Sequence, residues 1–244
     1  MKITNFYELV FPIMGGKGQE DSSTDAMTLR QVLGTCFSIS GDLFISAAHV
    51  IRDALTYPWA GIGFPYEGVW QGSAFLDSEI QEDFDIGIVK AEVPTCVPLK
   101  WSSNDLYMLQ SVRTVGYPYA LEFTPPQINI RSFMGYVVSN QKFPDLKAQP
   151  RIYELSFQAP RGLSGAPLFA GENVNGLVIG NRTTEMLIYR NKETVKDEQK
   201  ETVVETYEAL ELGIAEQSSS ILDIPFKMIG CTLRQLLSRN GMMT

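Results

Sequence analysis

One histidine stands in 244 residues, so no second imidazole is available to pair with it. Zinc sites built on two or more histidines are thereby excluded. The cysteines Cys36, Cys96 and Cys231 are too far apart to supply a Cys-X-X-Cys alternative. No metal and no other cofactor is expected. Three cysteines, an odd number in apolar surroundings, point to free thiols rather than a disulfide framework, and so to a reducing compartment. Cations are outnumbered, with 20 Lys and Arg against 28 Asp and Glu, for a net charge of -8. Without clustered Lys and Arg a chain cannot neutralise a phosphate backbone, which excludes sequence-independent nucleic-acid binding. No run approaches the roughly 18 apolar residues that a membrane span needs. The opening apolar run is broken by Glu8 before it reaches signal-peptide length. A soluble cytoplasmic protein, with no nucleic-acid and no membrane partner, is the expectation.

What is present is an ordinary globular composition, 44% hydrophobic and 20% charged. Residues 15 to 28, rich in Gly, Asp, Ser and Thr, read as a surface loop after a short N-terminal segment. From Val32 onward, apolar runs of a few residues alternate with Gly, Pro, Asn and Asp. The runs are Thr35 to Ser40, Leu43 to Ala48, Ile86 to Val89, Val112 to Val115, Ile128 to Phe133, Tyr136 to Val138, Ile152 to Phe157 and Leu177 to Ile179. Many short strands with few helical periods between them predict an all-β sandwich or barrel architecture. Two stretches depart from this pattern. Thr184 to Glu211 is strongly charged, with Lys192, Lys196, Lys200, Glu193, Glu198, Glu201, Glu205 and Glu208 around Thr202, Val203 and Val204. It reads as an extended hairpin or long surface loop. At the C-terminus, Ile224, Met228, Ile229, Leu233, Leu236 and Leu237 recur at helical spacing, with Gly241 placed to cap, so residues 223–244 are expected to form a core-packing helix.

Three groups can do chemistry. Ser164 lies in Ala159-Pro-Arg-Gly-Leu-Ser-Gly-Ala-Pro-Leu-Phe169, where Gly162 and Gly165 permit a tight turn that exposes a hydroxyl while its own amides converge. A serine nucleophile and its oxyanion hole need such a turn. His49 closes the apolar segment Phe44-Ile-Ser-Ala-Ala-His-Val-Ile51, expected as a strand whose small residues leave room for another side chain. Asp85 stands directly before the apolar run Ile86 to Val89, where a carboxylate is costly unless something satisfies it; a strand-entry turn is its simpler role. Taken together the three make a coherent set. A serine needs a base, and an imidazole base needs an acid to fix its tautomer. The chain order His49, Asp85, Ser164 excludes an α/β-hydrolase, in which a histidine follows the serine, and a subtilisin, in which the acid comes first.

The segments Ile45-Ser-Ala-Ala-His49-Val, Asp85-Ile-Gly-Ile-Val-Lys90 and Gly162-Leu-Ser164-Gly-Ala-Pro-Leu168 resemble the three signature segments of trypsin-like serine proteases. Gly34 to Ser40, Val115-Gly-Tyr-Pro118, Gly135 to Ser139, Gly176 to Asn181 and Leu212 to Ala215 place the resemblance nearest the bacterial HtrA-type branch, over roughly residues 32 to 240 and without an appended PDZ domain. The resemblance implies two perpendicular six-stranded antiparallel barrels of the chymotrypsin type with the active site between them. The implied division is an N-terminal segment at 1–31, a first barrel at 32–105, a second at 106–222 carrying the 184–211 insertion, and the C-terminal helix. It further implies that Ser164 attacks the scissile carbonyl, His49 is general base then acid, Asp85 orients His49, and the amides of Gly162 and Ser164 hold the oxyanion. Asp83 is the fallback acid. The primary substrate pocket would be walled by Gln158, Ala159 and Pro160 on one side and by Ile179, Gly180 and Asn181 on the other, with Gln158 at its base.

Departures from the family pattern carry information. Leu163 precedes the serine where secreted members have an aspartate that pairs with a newly cut N-terminus, so activation by propeptide cleavage is not expected, and a regulatory protein partner is. Val50 follows His49, leaving Cys36 without the disulfide partner of secreted members. Ala166 replaces a glycine, and its methyl is expected to narrow the approach to the cleft. The uncharged pocket argues against Arg or Lys preference and for a small to medium residue before the cleaved bond. A serine endopeptidase acting on protein or peptide substrates is the leading reading. The alternatives are a silent protease-fold binding or scaffold protein, and an acyl transferase or esterase using the same nucleophile.

Overall fold

Short apolar segments punctuated by glycine and aspartate close into two antiparallel β-systems in the computed structural model, which describes residues 6–16, 30–118, 128–195 and 200–244. The first comprises β1 (Val10–Gly16), β2 (Arg30–Ser40), β3 (Leu43–Ala47), β4 (Trp59–Tyr66), β5 (Val69–Ala74), β6 (Asp77–Gln81) and β7 (Ile86–Lys90), in the order β5-β4-β1-β2-β3-β7-β6. Its seven strands follow a six-strand path. At the junction of β5 and β6 the Phe75 amide donates to Ala60 O on β4, and the Leu76 amide donates to Lys90 O on β7. One bent strand thus changes partner between the two edges and joins them.

The second system is a closed six-stranded barrel of β8 (Ser111–Gly116), β9 (Arg131–Lys142), β10 (Arg151–Leu155), β11 (Pro167–Ala170), β12 (Asn173–Val195) and β13 (Lys200–Gln217), in the order β10-β13-β12-β11-β8-β9. The all-β, two-barrel architecture is the one the sequence implies. Phe11 and Phe44 meet edge-on inside the first barrel, with ring centroids 5.5 Å apart. Each such fully buried side chain stabilises the fold by about 1.5–3 kcal/mol. Trp101, fully buried in the connection between the barrels, donates its amide to Met242 O and accepts from the Thr244 amide, which ties the C-terminus to that junction.

The secondary structure differs from the sequence reading in four places. β1 is no peripheral segment: it is buried along its whole length between β2 and β4. Pro12 and the Gly15–Gly16 pair read as punctuation in sequence. In the fold Gly15 is needed for contact, because a Cβ there would stand 2.4 Å from the Tyr57 ring. The rest of the expected 15–28 loop lies outside the described residues beyond Gly16. The runs expected at 128–133 and 136–138 merge in the single strand β9, which starts at Arg131. The expected helix over 223–244 is confined to α3 (Leu233–Arg239). A two-residue hairpin, β14 (Pro225–Phe226) with β15 (Cys231–Thr232), precedes it, and Thr232 starts the helix through a reciprocal cap with Gln235. Apolar spacing registered burial of the segment, and Gly230 at φ +65° breaks the helical path.

The charged stretch at 184–211 is an extended hairpin. β12 and β13 stay paired from Gly176 with Gln217 out to Val195 with Lys200, and Lys196 and Glu198 at its tip lie outside the described residues.

Candidate active site

The fourth difference concerns His49, which lies two residues past a strand end. β3 stops at Ala47, and α1 (Ala48–Leu55) begins at once, turning Ala48, Val50, Ile51 and Ala54 into the core. His49 is thereby presented on the opposite, partly exposed side. The Ala48 amide donates to Asp85 O at 2.8 Å, so the start of this helix is held by the residue that also engages the histidine.

Asp85 closes a single 3₁₀ turn, Glu82–Phe84, and takes up left-handed φ of 53° before β7 begins. A non-glycine residue in that region is strained, and such strain persists where surrounding contacts over-determine it. Here the carboxylate accepts from the His49 amide at 2.9 Å (Oδ1) and reaches His49 Nδ1 at 2.8 Å (Oδ2). Its side chain is 15% exposed against 32% for His49. Asp83, the fallback acid, points elsewhere and pairs with Lys147 at 3.3 Å.

Ser164 sits in a turn that the first barrel holds from outside. Gly162 and Gly165 take φ of +97° and +88°. A Cβ on Gly162 would come within 2.6 Å of Tyr117 O, and one on Gly165 within 1.9 Å of Thr35 O. Only glycine meets both the angle and the space. The Thr35 amide donates to Ser164 O at 2.8 Å, and the Thr35 hydroxyl donates to Gly162 O at 2.9 Å while accepting from the Tyr117 amide at 3.0 Å. Ser46, three residues before His49, donates to Thr35 O at 2.7 Å. Strand β3 and the serine turn are thus joined through one buried threonine. Thr35 and Ser46 were not singled out from sequence; their only signal is a hydroxyl at a position of each strand that is fully buried.

Ser164 Oγ donates to Ile179 O at 3.4 Å, and the described contacts include no hydrogen bond from it to His49. The amides of Gly162 and Ser164 donate to no protein group among the described residues. The Leu163 amide instead donates back to Pro160 O at 3.0 Å, which closes the turn.

The expected pocket walls do face each other, but they are stapled. Asn181 Oδ1 accepts from the Ala159 amide at 2.6 Å, and its Nδ2 donates to Ala159 O at 3.0 Å. At the inner end the Gly213 amide donates to Phe157 O at 2.8 Å, and a Cβ on Gly213 would stand 2.6 Å from that oxygen. Gln158 is exposed, in the irregular segment 157–159 beside β13. Pro160 and Gly180 are partly buried and Ile179 is buried. Ala166 also differs from expectation: it is fully buried in the second barrel's core, facing Gly116 with Leu163 beside it, and so does not border the cleft.

One ionisable side chain nearby escaped the sequence reading. Glu216, on β13 opposite Leu177 and Ile152, is fully buried, and neither carboxylate oxygen has a hydrogen-bond partner among the described residues. Burial holds its carboxyl well above the usual carboxylate range, and the negative charge of Asp85 pushes it further the same way. The three thiols are unpaired, with Cys36 buried and its thiol raised by that burial. Among the described residues no group of three or more His, Cys, Asp or Glu side chains could hold a metal ion, and no helix is long and apolar enough to cross a membrane.

Two antiparallel barrels with an imidazole–carboxylate pair on one and a glycine-flanked serine on the other define the chymotrypsin type of β-protein. Residues 34–180 match the model of the trypsin-like peptidase domain, and the chain belongs to that family. Solved structures share the fold at low identity. The Rv3671c protease from M. tuberculosis in its active form is 14% identical, with a TM-score of 0.58 over 98% of this chain and 83% of that one. The HtrA-type protease AlgW with a decapeptide is 11% identical, with a TM-score of 0.60 over 95% of this chain and 65% of that one. The MamO protease domain from Magnetospirillum magneticum is 11% identical, with a TM-score of 0.57 over 88% and 94%. No curated protein sequence matches the chain.

Proposed function

We propose that the protein is a serine endopeptidase that cleaves protein substrates through an acyl-enzyme formed on Ser164. The observation that carries the reading is the two-point grip of Asp85 on His49, at the amide and at Nδ1. Donating Nδ1–H to Asp85 fixes the tautomer in which Nε2 is free to act as a base, and the carboxylate stabilises the imidazolium that forms. Ser164 Oγ leaves Ile179 O when a substrate amide takes that acceptor. It then gives its proton to Nε2 and bonds to the scissile carbonyl carbon, whose oxygen turns to the amides of Gly162 and Ser164. His49 passes the proton to the leaving amine as the C–N bond breaks, and a water deprotonated by the same nitrogen releases the acid product.

The resting contact Ser164–Ile179 has to open for the serine to react, and the Asn181–Ala159 bonds narrow the pocket against larger side chains. That requirement supports restraint by a protein partner or by substrate itself in place of propeptide cleavage, with a small residue before the cleaved bond. Three unpaired thiols are in keeping with a reducing compartment. Hydrolysis of unfolded casein tests the reading. The wild type is expected to cleave it, Ser164→Ala and His49→Ala are not, and equal cleavage by all three would place the activity elsewhere.

A further inference from the structure

Among the described residues, no second strand pairs with the outer edge of β12 beyond the serine. β11 covers β12 only as far as Leu177, and Val178 still exchanges bonds with Gly165 and Ala166. From Ile179 outward β13 is the only strand beside β12 among the described residues. Alternate residues of an antiparallel strand turn their N–H and C=O away from the existing partner, so this edge offers a ready ladder. Its ordered stretch runs from Ile179, whose carbonyl meets Ser164 Oγ, to the bulge between Leu187 and Tyr189. That is about nine residues, or roughly 30 Å at the usual rise per residue. Arg182 anchors its root through Glu154 at 3.3 Å.

The two free edges of this hairpin are not alike. Along β13, Glu205, Glu208 and Glu211 recur every third residue with no cation from Val203 to Leu212, the kind of charge that blocks strand addition. Along β12 from Thr183 to Tyr189 the only charge is Glu185, among threonines and apolar residues that favour strand. Leu187, Ile188 and Tyr189 are 44, 55 and 55% exposed. One edge is guarded against pairing and the other is left open where it continues from the nucleophile.

Resting on the endopeptidase reading, we propose that this open edge is an extended substrate track. The N-terminal side of an unfolded polypeptide adds to β12 as an antiparallel strand for about nine residues from the cleaved bond. The polarity fits: β12 runs away from Ser164, so a chain antiparallel to it runs its C-terminal end toward Ser164. The occupant is an extended, proline-poor segment of uncharged and β-branched residues, and the hairpin selects unfolded chains over short peptides.

Binding to the Ser164→Ala protein tests the track without requiring turnover. The probes are fluorescein-labelled peptides of alternating valine and threonine ending in alanine, nine or three residues long, read by anisotropy. The expected result is at least tenfold tighter binding of the longer peptide. The gain should disappear when prolines occupy alternate positions, and also when residues 184–210 are replaced by an Asn-Gly turn joining the paired Thr183 and Glu211. Equal affinity for both lengths would overturn the proposal, as would a gain that survives the replacement, or hairpin-dependent self-association with no length dependence. Fluorophosphonate labelling of the shortened protein with Ser164 intact reports separately on the chemistry, and it is expected to match the full-length protein.

Discussion

The amide of Thr35 donates to the carbonyl of Ser164 across 2.8 Å, linking a strand of the first barrel to the nucleophile turn of the second. The threonine hydroxyl adds a bond to Gly162 O, so Gly162 and Ser164, the two residues proposed to supply the oxyanion donors, are both held by one side chain and its backbone. Thr35→Val keeps the shape and removes the hydroxyl. It is expected to lower kcat/KM about 10- to 100-fold through misplacement of the turn. It should also destabilise the fold by about 1–3 kcal/mol, because the Tyr117 amide loses its acceptor. Steady-state kinetics and urea melts on the one variant read both effects.

The acid assignment separates two neighbours. Asp85→Asn leaves the shape intact but favours the wrong imidazole tautomer, and the expected loss in kcat is roughly 10⁴-fold. Asp83→Asn breaks only an exposed pair with Lys147 and is expected to leave kcat unchanged. Parallel assays of the two variants on one peptide decide the matter.

Asn181 bridges both backbone groups of Ala159, and its removal should widen the primary pocket. Asn181→Gly is expected to raise kcat/KM about tenfold for peptides with leucine or phenylalanine before the cleaved bond, and to leave alanine peptides little changed. A matched peptide series measures the ratio.

Glu216 should set a pH dependence of stability. The unfolded chain releases this proton near the ordinary glutamate pKa of about 4.3, while the folded protein keeps it. Stability therefore falls as pH rises above that value and continues to fall up to the raised folded pKa. Glu216→Met fills the site without a charge. It is expected to be more stable than the wild type at pH 8 by about 1–4 kcal/mol, with the difference shrinking toward pH 4. Thermal melts across that range supply the test.

How much of this was legible in the sequence depended on whether a feature is local. The serine turn was legible because glycines on both sides of a serine mark backbone at positive φ, a property of the turn itself. The order of His49, Asp85 and Ser164 narrowed the fold because it is a property of the chain alone. β1 was hidden because Pro12 and Gly15 look like breaks until Tyr57 is seen against Gly15. The helical setting of His49 was hidden because Ala47 to Ile51 is apolar enough for either state. Thr35, Ser46 and Glu216 were out of reach, since their roles come from partners more than ten residues away or from a core that only the folded barrels define.

The central claim is that Ser164 is a nucleophile activated by His49. A fluorophosphonate probe followed by mass mapping of the adduct tests it most directly. A single adduct is expected on Ser164 of the wild type, none on Ser164→Ala, and sharply slowed labelling of His49→Ala. An adduct that forms on Ser164→Ala, or labelling of the wild type at another residue, would contradict it.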